Sequence, residues 1–260
     1  MKNIALICRR ELQGYFTTFS GYVILAGHLL LSGILFNAYA LGSRAKFSQR
    51  VVEDFFYMAS GMAMVTAILL AIRLIAEERQ TQTLVLLRTA PVTEREIVLG
   101  KFLSALAFLS ITLLASVYLP LLVLVHGKVS LAQIAAGYLG LFLLGGACIS
   151  IALLASAWSS SQLMAGAVAA LMVTLLVVAW MAGRIAEEPI KGLLSYVALH
   201  NLHFLSISRG LLNLRDVVYY VGVTAFFLEC SVRVLESWRW REGSSPCAGS
   251  GPCWPCAGAC

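Results

Sequence analysis

His200 and His203 stand three residues apart, on one face if their segment is helical, with Glu187, Glu188 and Asp216 in the same stretch of chain. Imidazole and carboxylate form the ligand set of zinc and related divalent ions, so a metal site is conceivable there. The run L-H-N-L-H-F offers no third ligand at a fixed spacing, and such histidines more often hydrogen-bond to neighbouring loops. A second chemically capable group ends the chain: Cys247, Cys253, Cys256 and Cys260, four of the 7 cysteines. Only Cys253 and Cys256 make a C-x-x-C, whereas structural zinc sites use two closely spaced pairs around a folded spacer. Residues 242–260, rich in Gly, Ser, Pro and Cys, are expected to be a disordered tail.

Other reactive signatures are missing. Neither H-E-x-x-H nor G-x-S-x-G occurs, and the G-K pairs at Gly100-Lys101 and Gly127-Lys128 are followed by Phe102 and Val129 rather than by Ser or Thr. The chain therefore lacks the phosphate loop G-x-x-x-x-G-K-S/T and is expected to bind no cofactor and no metal and to be no enzyme. An intramembrane metal-dependent enzyme built on His200, His203 and Asp216 remains as an alternative.

The elements that must carry these residues are dictated by composition: 260 residues, 60% hydrophobic and 12% charged, against about 25% charged in an ordinary soluble domain. Apolar runs over roughly 20–42, 57–76, 102–125, 132–158, 163–183 and 217–236 each reach the length of about 20 residues that a helix needs to cross a bilayer. The expected fold is an all-α integral membrane protein with six transmembrane helices in one domain, residues 1–241. A barrel would instead show alternating strands of about 10 residues. The opening "MKNIALICRRELQGYF" is not expected to be a cleavable signal, because Arg9, Arg10 and Glu11 interrupt its apolar run. Ile4, Cys8, Leu12, Tyr15 and Phe19 recur at helical spacing, which predicts an amphipathic interfacial helix over 2–18. Six spans place both termini on one side. With that side inside, eleven of the 19 Lys and Arg are internal, clustered at helix ends, which predicts cytoplasmic termini in a multi-pass protein of the cell (inner) membrane. The lipid bilayer is a partner, and no nucleic-acid partner is expected.

Polar residues inside spans are functional candidates by default. His28 and Asn37 fall in the first span and Glu229 in the last, where Arg233, one turn on, can pair with it. Gly146 with Ser150, and Ala165 with Ala169, have the spacing of helix packing. Pro120 is expected to kink the third span. In the segment 184–216 before the last span, Leu194, Val197, Leu202, Leu205 and Leu212 predict short half-helices capping the bundle.

Between the second and third spans lies "EERQTQTLVLLRTAPVTEREIVLGK", residues 77–101, carrying eight ionisable side chains. Glu77 to about Thr89 can form one helix, Pro91 interrupts it, and Thr93 with Glu96 is the capping box of the next. The second helix begins in water and continues into the third span, a geometry able to transmit a push. A plain solvated loop with topology-setting charges is the alternative.

This segment, with Phe102, resembles the coupling segment of type-2 ABC exporter permeases. That family has a "GT-x-E-x-L-x-x-x-P" element followed by "I-V-x-G-K". The matching positions here are Thr83, Leu84, Leu87, Thr89, Pro91, Ile97, Gly100 and Lys101, while Gln82 stands where the family usually has Gly and Val85 where it usually has Glu. Three further segments resemble the gliding-motility and copper-export-accessory branch: "RRELQGYFTTFSGYV", "HFLSISRGLLNLRDVVYY" and "TAFFLECSVRVLESWRWR".

The resemblance implies a permease subunit of an ATP-driven exporter. Its coupling residues would be Glu77, Glu78, Thr83, Leu84, Leu87, Thr89, Pro91, Glu96, Gly100 and Lys101, docking into a cytosolic ABC ATPase that holds ATP and Mg. It also implies a second permease copy, as homodimer or with a related permease. A membrane anchor that recruits an ATPase without transporting anything is the other alternative. No cluster of charges selects a substrate.

Overall fold

The computed structural model describes residues 2–41, 48–80, 93–126, 129–159, 161–185, 196, 198–200 and 203–243. These residues form helices and no strand. In chain order they are α1 (Lys2–Thr17), α2 (Phe19–Leu35) ending in a π-helical turn (Phe36–Leu41), α3 (Ser48–Gln80), α4 (Glu94–Ala115), α5 (Tyr118–His126), α6 (Leu131–Trp158), α7 (Gln162–Ile185), α8 (His203–Ser208) and α9 (Leu214–Gly243). Among the described residues six helical stretches are long and apolar enough to cross a membrane: Phe19–Ala38, Ser48–Ala76, Glu94–Val125, Leu131–Trp158, Gln162–Ala179 and Leu214–Trp238. The expected all-α architecture is therefore the observed one. The second helix begins at Ser48 rather than near 57, because Val51, Val52, Phe55 and Phe56 are buried in the core despite Arg50, Glu53 and Asp54 interleaving with them. Charge ends a hydropathy run sooner than it ends a helix.

The centre of the bundle is α6, which packs on α3, α4, α7, α8 and α9. It can be central because glycines remove its bulk where neighbours cross. A Cβ on Gly137 would stand 2.4 Å from the Phe56 ring, one on Gly145 would be 2.3 Å from Leu109, and one on Gly140 would be 2.7 Å from Ile207. Packing of this kind suits a bilayer, where close backbone approach replaces the hydrophobic drive between helices. Gly146 and Ser150 are buried on the same helix, and Ala165 and Ala169 are fully buried on α7, as their spacing predicts. In contrast α2, α7 and α9 turn rows of large apolar side chains outward, including Leu30, Ile34, Leu171, Leu175, Val221 and Phe226. Such rows face lipid or another apolar surface.

The third span breaks where Pro120 requires. Proline has no N–H for the carbonyl of Ser116, four residues back. That carbonyl instead accepts from the Leu119 N–H at 3.1 Å, and the Ser116 hydroxyl turns back to the Leu113 carbonyl at 2.7 Å. The result is a tight turn between α4 and α5.

The predicted apolar stripe of α1 turns mainly inward. Ile4, Cys8, Leu12 and Tyr15 are shielded to different degrees on the bundle side, while Leu6, Phe16 and Phe19 remain exposed. Burial raises the Cys8 thiol above its ordinary value, so it is no reactive thiolate at neutral pH. On the opposite face of the bundle, α8 is a cap, but its buried apolar residues are Phe204 and Ile207. The predicted Leu205 and Leu212 are exposed, and Leu194, Val197 and Leu202 lie outside the described residues. Periodicity located a cap there but chose the wrong face, because Gly140 on α6 offers its recess to Ile207.

Candidate functional site

The helices entering and leaving residues 77–101 are both anchored, and the anchoring side chains come from elements far apart in sequence. Of the predicted coupling residues, Thr83, Leu84, Leu87, Thr89 and Pro91 lie outside the described residues, as do the side chains of Glu77 and Glu78 in the last turn of α3. Described are Thr93 onward. Thr93 is the N-cap of α4: its side chain accepts from the Glu96 N–H at 3.4 Å and the Glu96 carboxylate accepts from the Thr93 N–H at 3.1 Å. This is the capping box its sequence predicts. It satisfies two of the orphan amides of the first turn, and the helix then continues unbroken to Ala115. Asn3 Nδ2 also donates to both Glu96 carboxylate oxygens, at 3.4 Å.

From Asn3 onward α1 runs alongside α4 in the same direction. Asn3 meets Glu96, Ile7 meets Gly100, Glu11 meets Lys101, and Tyr15 meets Phe108 with ring centroids 5.0 Å apart. The steps of four on α1 are one turn of one face. Gly100 permits the approach, since a Cβ there would lie 2.8 Å from Ile7 Cγ2. Lys101 is 1% exposed at its side chain; its Nζ donates to Glu11 Oε1 at 3.2 Å and to the Leu74 carbonyl at 2.6 Å. An ammonium so buried would cost several kcal/mol if unpaired, roughly, and persists because both bonds are made. Gly100 and Lys101 thus point into the protein, toward α1 and α3, and not to a surface a partner could reach.

Among the described residues, three side chains from other elements hold residues 70–76 of α3. Tyr15 from α1 donates its hydroxyl to the Leu70 carbonyl at 3.0 Å. Lys101 from α4 takes the carbonyl of Leu74. The Ser156 hydroxyl from α6 donates to the Ile72 carbonyl at 3.0 Å and accepts from the Ala76 N–H at 3.0 Å and the Ile75 N–H at 3.3 Å. Ile72 and Ala76 are the two ends of one helical turn, so the hydroxyl bridges the ladder bond there. Nothing in the sequence singles out Tyr15 or Ser156, because their partners are backbone groups with no residue signature.

The other candidate residues lie elsewhere. Glu229 on α9 accepts from Arg233 at 3.3 Å, the pair expected one turn apart, and also from Arg95 of α4 at 3.1 Å. Arg95 and Glu229 are 61% and 49% exposed, so this tie is weak. His28 is buried in the first span. Thr66 spends its proton on the Met62 carbonyl at 2.8 Å, so His28 Nδ1 must donate to Thr66 Oγ1 at 2.9 Å. His28 is therefore a bonded core histidine between α2 and α3, with the buried Ser32 hydroxyl one turn away finding no hydrogen-bond partner among the described residues.

On the opposite face His200 and His203 do not converge. His200 Nε2 meets Ser60 Oγ of α3 at 2.5 Å, whereas His203 bonds Asp216 through Nδ1 at 2.7 Å and the Tyr196 carbonyl through Nε2 at 3.1 Å, stacking on Tyr219. With these atoms engaged, His203 has no lone pair directed at an ion. Among the described residues no three His, Cys, Asp or Glu side chains gather as a metal site; Glu187, Glu188 and the four tail cysteines lie outside them.

The arrangement on the first face can do one thing mechanically: a displacement applied between residues 80 and 93 would act on two helix ends that are bonded to each other and to α1 and α6. No curated protein matches the chain. A family model described as "ABC-2 family transporter protein" matches residues 16–226.

Proposed function

The chain belongs to the ABC-2 family of transporter proteins, and we propose that it is the permease subunit of an ATP-driven exporter whose energy enters through residues 77–101. Membership makes it a membrane permease component of an ABC transporter and implies an ABC ATPase as partner. In this reading ATP and Mg are held by that partner, whose hydrolysis drives the cycle. Thr83, Leu84, Leu87, Thr89 and Pro91, with Glu77 and Glu78, dock against the ATPase on the cytosolic side of the inner membrane, the side on which both termini lie. Two permease copies assemble, each contributing outward apolar rows such as those on α2 and α9. The gliding-motility and copper-export-accessory branch is supported by the three segments that resemble it in order and spacing.

The observation that carries the reading is the continuity of the coupling segment with a membrane helix. The capping box at Thr93 starts a helix that runs without interruption through the apolar residues to Ala115. A docked segment would therefore move α4 as a rod. Movement favours one packing of the spans over another only if the two packings differ in their contact with the partner, which is the condition for population shift.

Purification of the tagged protein in mild detergent tests this. Wild type should bring an ABC ATPase with it, and the Leu84→Asp, Leu87→Asp, Pro91→Ala variant should lose it while keeping its elution volume and thermal stability. Wild-type protein that carries no ATPase even after crosslinking refutes the docking assignment.

A further inference from the structure

We propose that residues 70–76 of α3, one turn short of its end, form a joint through which displacement of the coupling segment reaches α1 and α6, with Lys101 and Ser156 as its positioning residues. The proposal rests on the docking reading above and adds to it two elements, α1 and α6, that lie outside the docking segment.

Residues 70–76 present an unusual concentration of backbone groups taken by side chains from other elements. The carbonyls of Leu70, Ile72 and Leu74 accept from Tyr15, Ser156 and Lys101, and the amides of Ile75 and Ala76 give to Ser156. Side chains that insert into the helical ladder are one of the few identified causes of bending. Here the insertion sits one turn before the residues that lead into the coupling segment. Lys101 doubles the connection, since the same ammonium bonds α3 and pairs with Glu11 of α1. Both roots of the segment and α1 thus meet at one nitrogen.

The charge is more than filler. A Lys–Glu pair removed from water gains little net stability over apolar residues of equal volume, and its best attested use is to fix register. Register needs fixing on α1. Its stripe of Ile4, Ile7, Cys8 and Leu12 could slide by a turn along α4 and still bury apolar area, whereas Glu11 meets Lys101 at one setting only. The motion has a path onward as well: α1 joins α2 through a tight elbow at Thr18, whose hydroxyl donates to the Gly14 carbonyl at 2.7 Å, and Arg73 of α3 donates to Ser20 at the start of α2. On the other side Ser156 is fully buried at the end of α6, the helix on which the bundle packs.

The test uses the full-length permease with its copurified ATPase in lipid nanodiscs, measuring ATP hydrolysis against MgATP concentration. Two variants remove the joint while leaving space filled: Ser156→Ala, and Lys101→Met with Glu11→Leu. Each should retain the wild-type amount of ATPase, with kcat at least fivefold lower and KM for MgATP unchanged, and Lys101→Arg should keep at least half of the wild-type kcat. Variants that bind the ATPase and hydrolyse at the wild-type rate overturn the joint and leave docking intact. Wild type without an ATPase overturns the docking reading and the joint with it. Should the double variant fail to fold, Ser156→Ala and Glu11→Asp, which draws the carboxylate back by one methylene, decide alone: lowered kcat supports the joint, and unchanged kcat overturns it.

Discussion

Two hydrogen-bonded side-chain pairs, each with a buried nitrogen-bearing member, sit at opposite faces of this bundle and behave differently. Lys101 with Glu11 spans 90 residues of sequence and brings together α1, α3 and α4. His203 with Asp216 spans 13 residues and closes a local turn between α8 and the start of α9, with Asn213 donating to the second Asp216 oxygen at 3.3 Å. The Lys101 and His203 side chains are both nearly inaccessible, at 1% and 0% exposure. Burial therefore does not separate them; connectivity does. A pair between neighbours in sequence holds one cap in place, whereas a pair between distant elements makes their positions depend on one another.

That difference is open to attack, and the largest effect should come from Lys101→Met alone. It leaves the Glu11 carboxylate, 19% exposed, without its ammonium, and should cost about 3–5 kcal/mol, read as a lowered thermal midpoint in detergent together with lowered ATP turnover. His203→Phe should cost somewhat less, roughly 3 kcal/mol, because buried Asp216 and the Tyr196 carbonyl lose a partner. Its ATP turnover per folded complex should stay at the wild-type level; a fall equal to that of Lys101→Met would erase the contrast between the two faces. Gly145→Val probes α6 between them. Overpacking against Leu109 should cost about 1–3 kcal/mol, and a thermal midpoint equal to wild type would show that α4 and α6 are less closely packed than described. The smallest effect belongs to Arg95→Ala, where an exposed pair with Glu229 is removed. Less than about 1 kcal/mol should be lost, and a double-mutant cycle with Glu229→Gln measures it.

Much of this was legible beforehand where chemistry is local. The Thr93–Glu96 capping box, the Glu229–Arg233 pair and the break ahead of Pro120 each depend on residues within a single turn. Reading failed where a third element decides. The family resemblance groups Lys101 with the docking residues, yet its nitrogen faces Glu11, 90 positions earlier. The cap before α9 was placed on Leu205 and Leu212, yet Phe204 and Ile207 are the buried pair. His200 and His203 hydrogen-bond to neighbouring groups, as such histidines more often do, but which groups, Ser60 for one and Asp216 for the other, only the fold decides.

The sequence by itself determined that the chain crosses a bilayer as helices, where those helices run and which polar stretch interrupts them, because length, apolarity and backbone satisfaction in lipid leave few other solutions. Tertiary structure alone decided which helix is central and what the ends of the polar stretch are tied to. Close approach at Gly137 and Gly145, and bonds from Tyr15, Lys101 and Ser156 to backbone atoms of α3, depend on which helices meet. A backbone carbonyl looks the same at every position of a sequence, so only the fold can say which one a distant side chain will find.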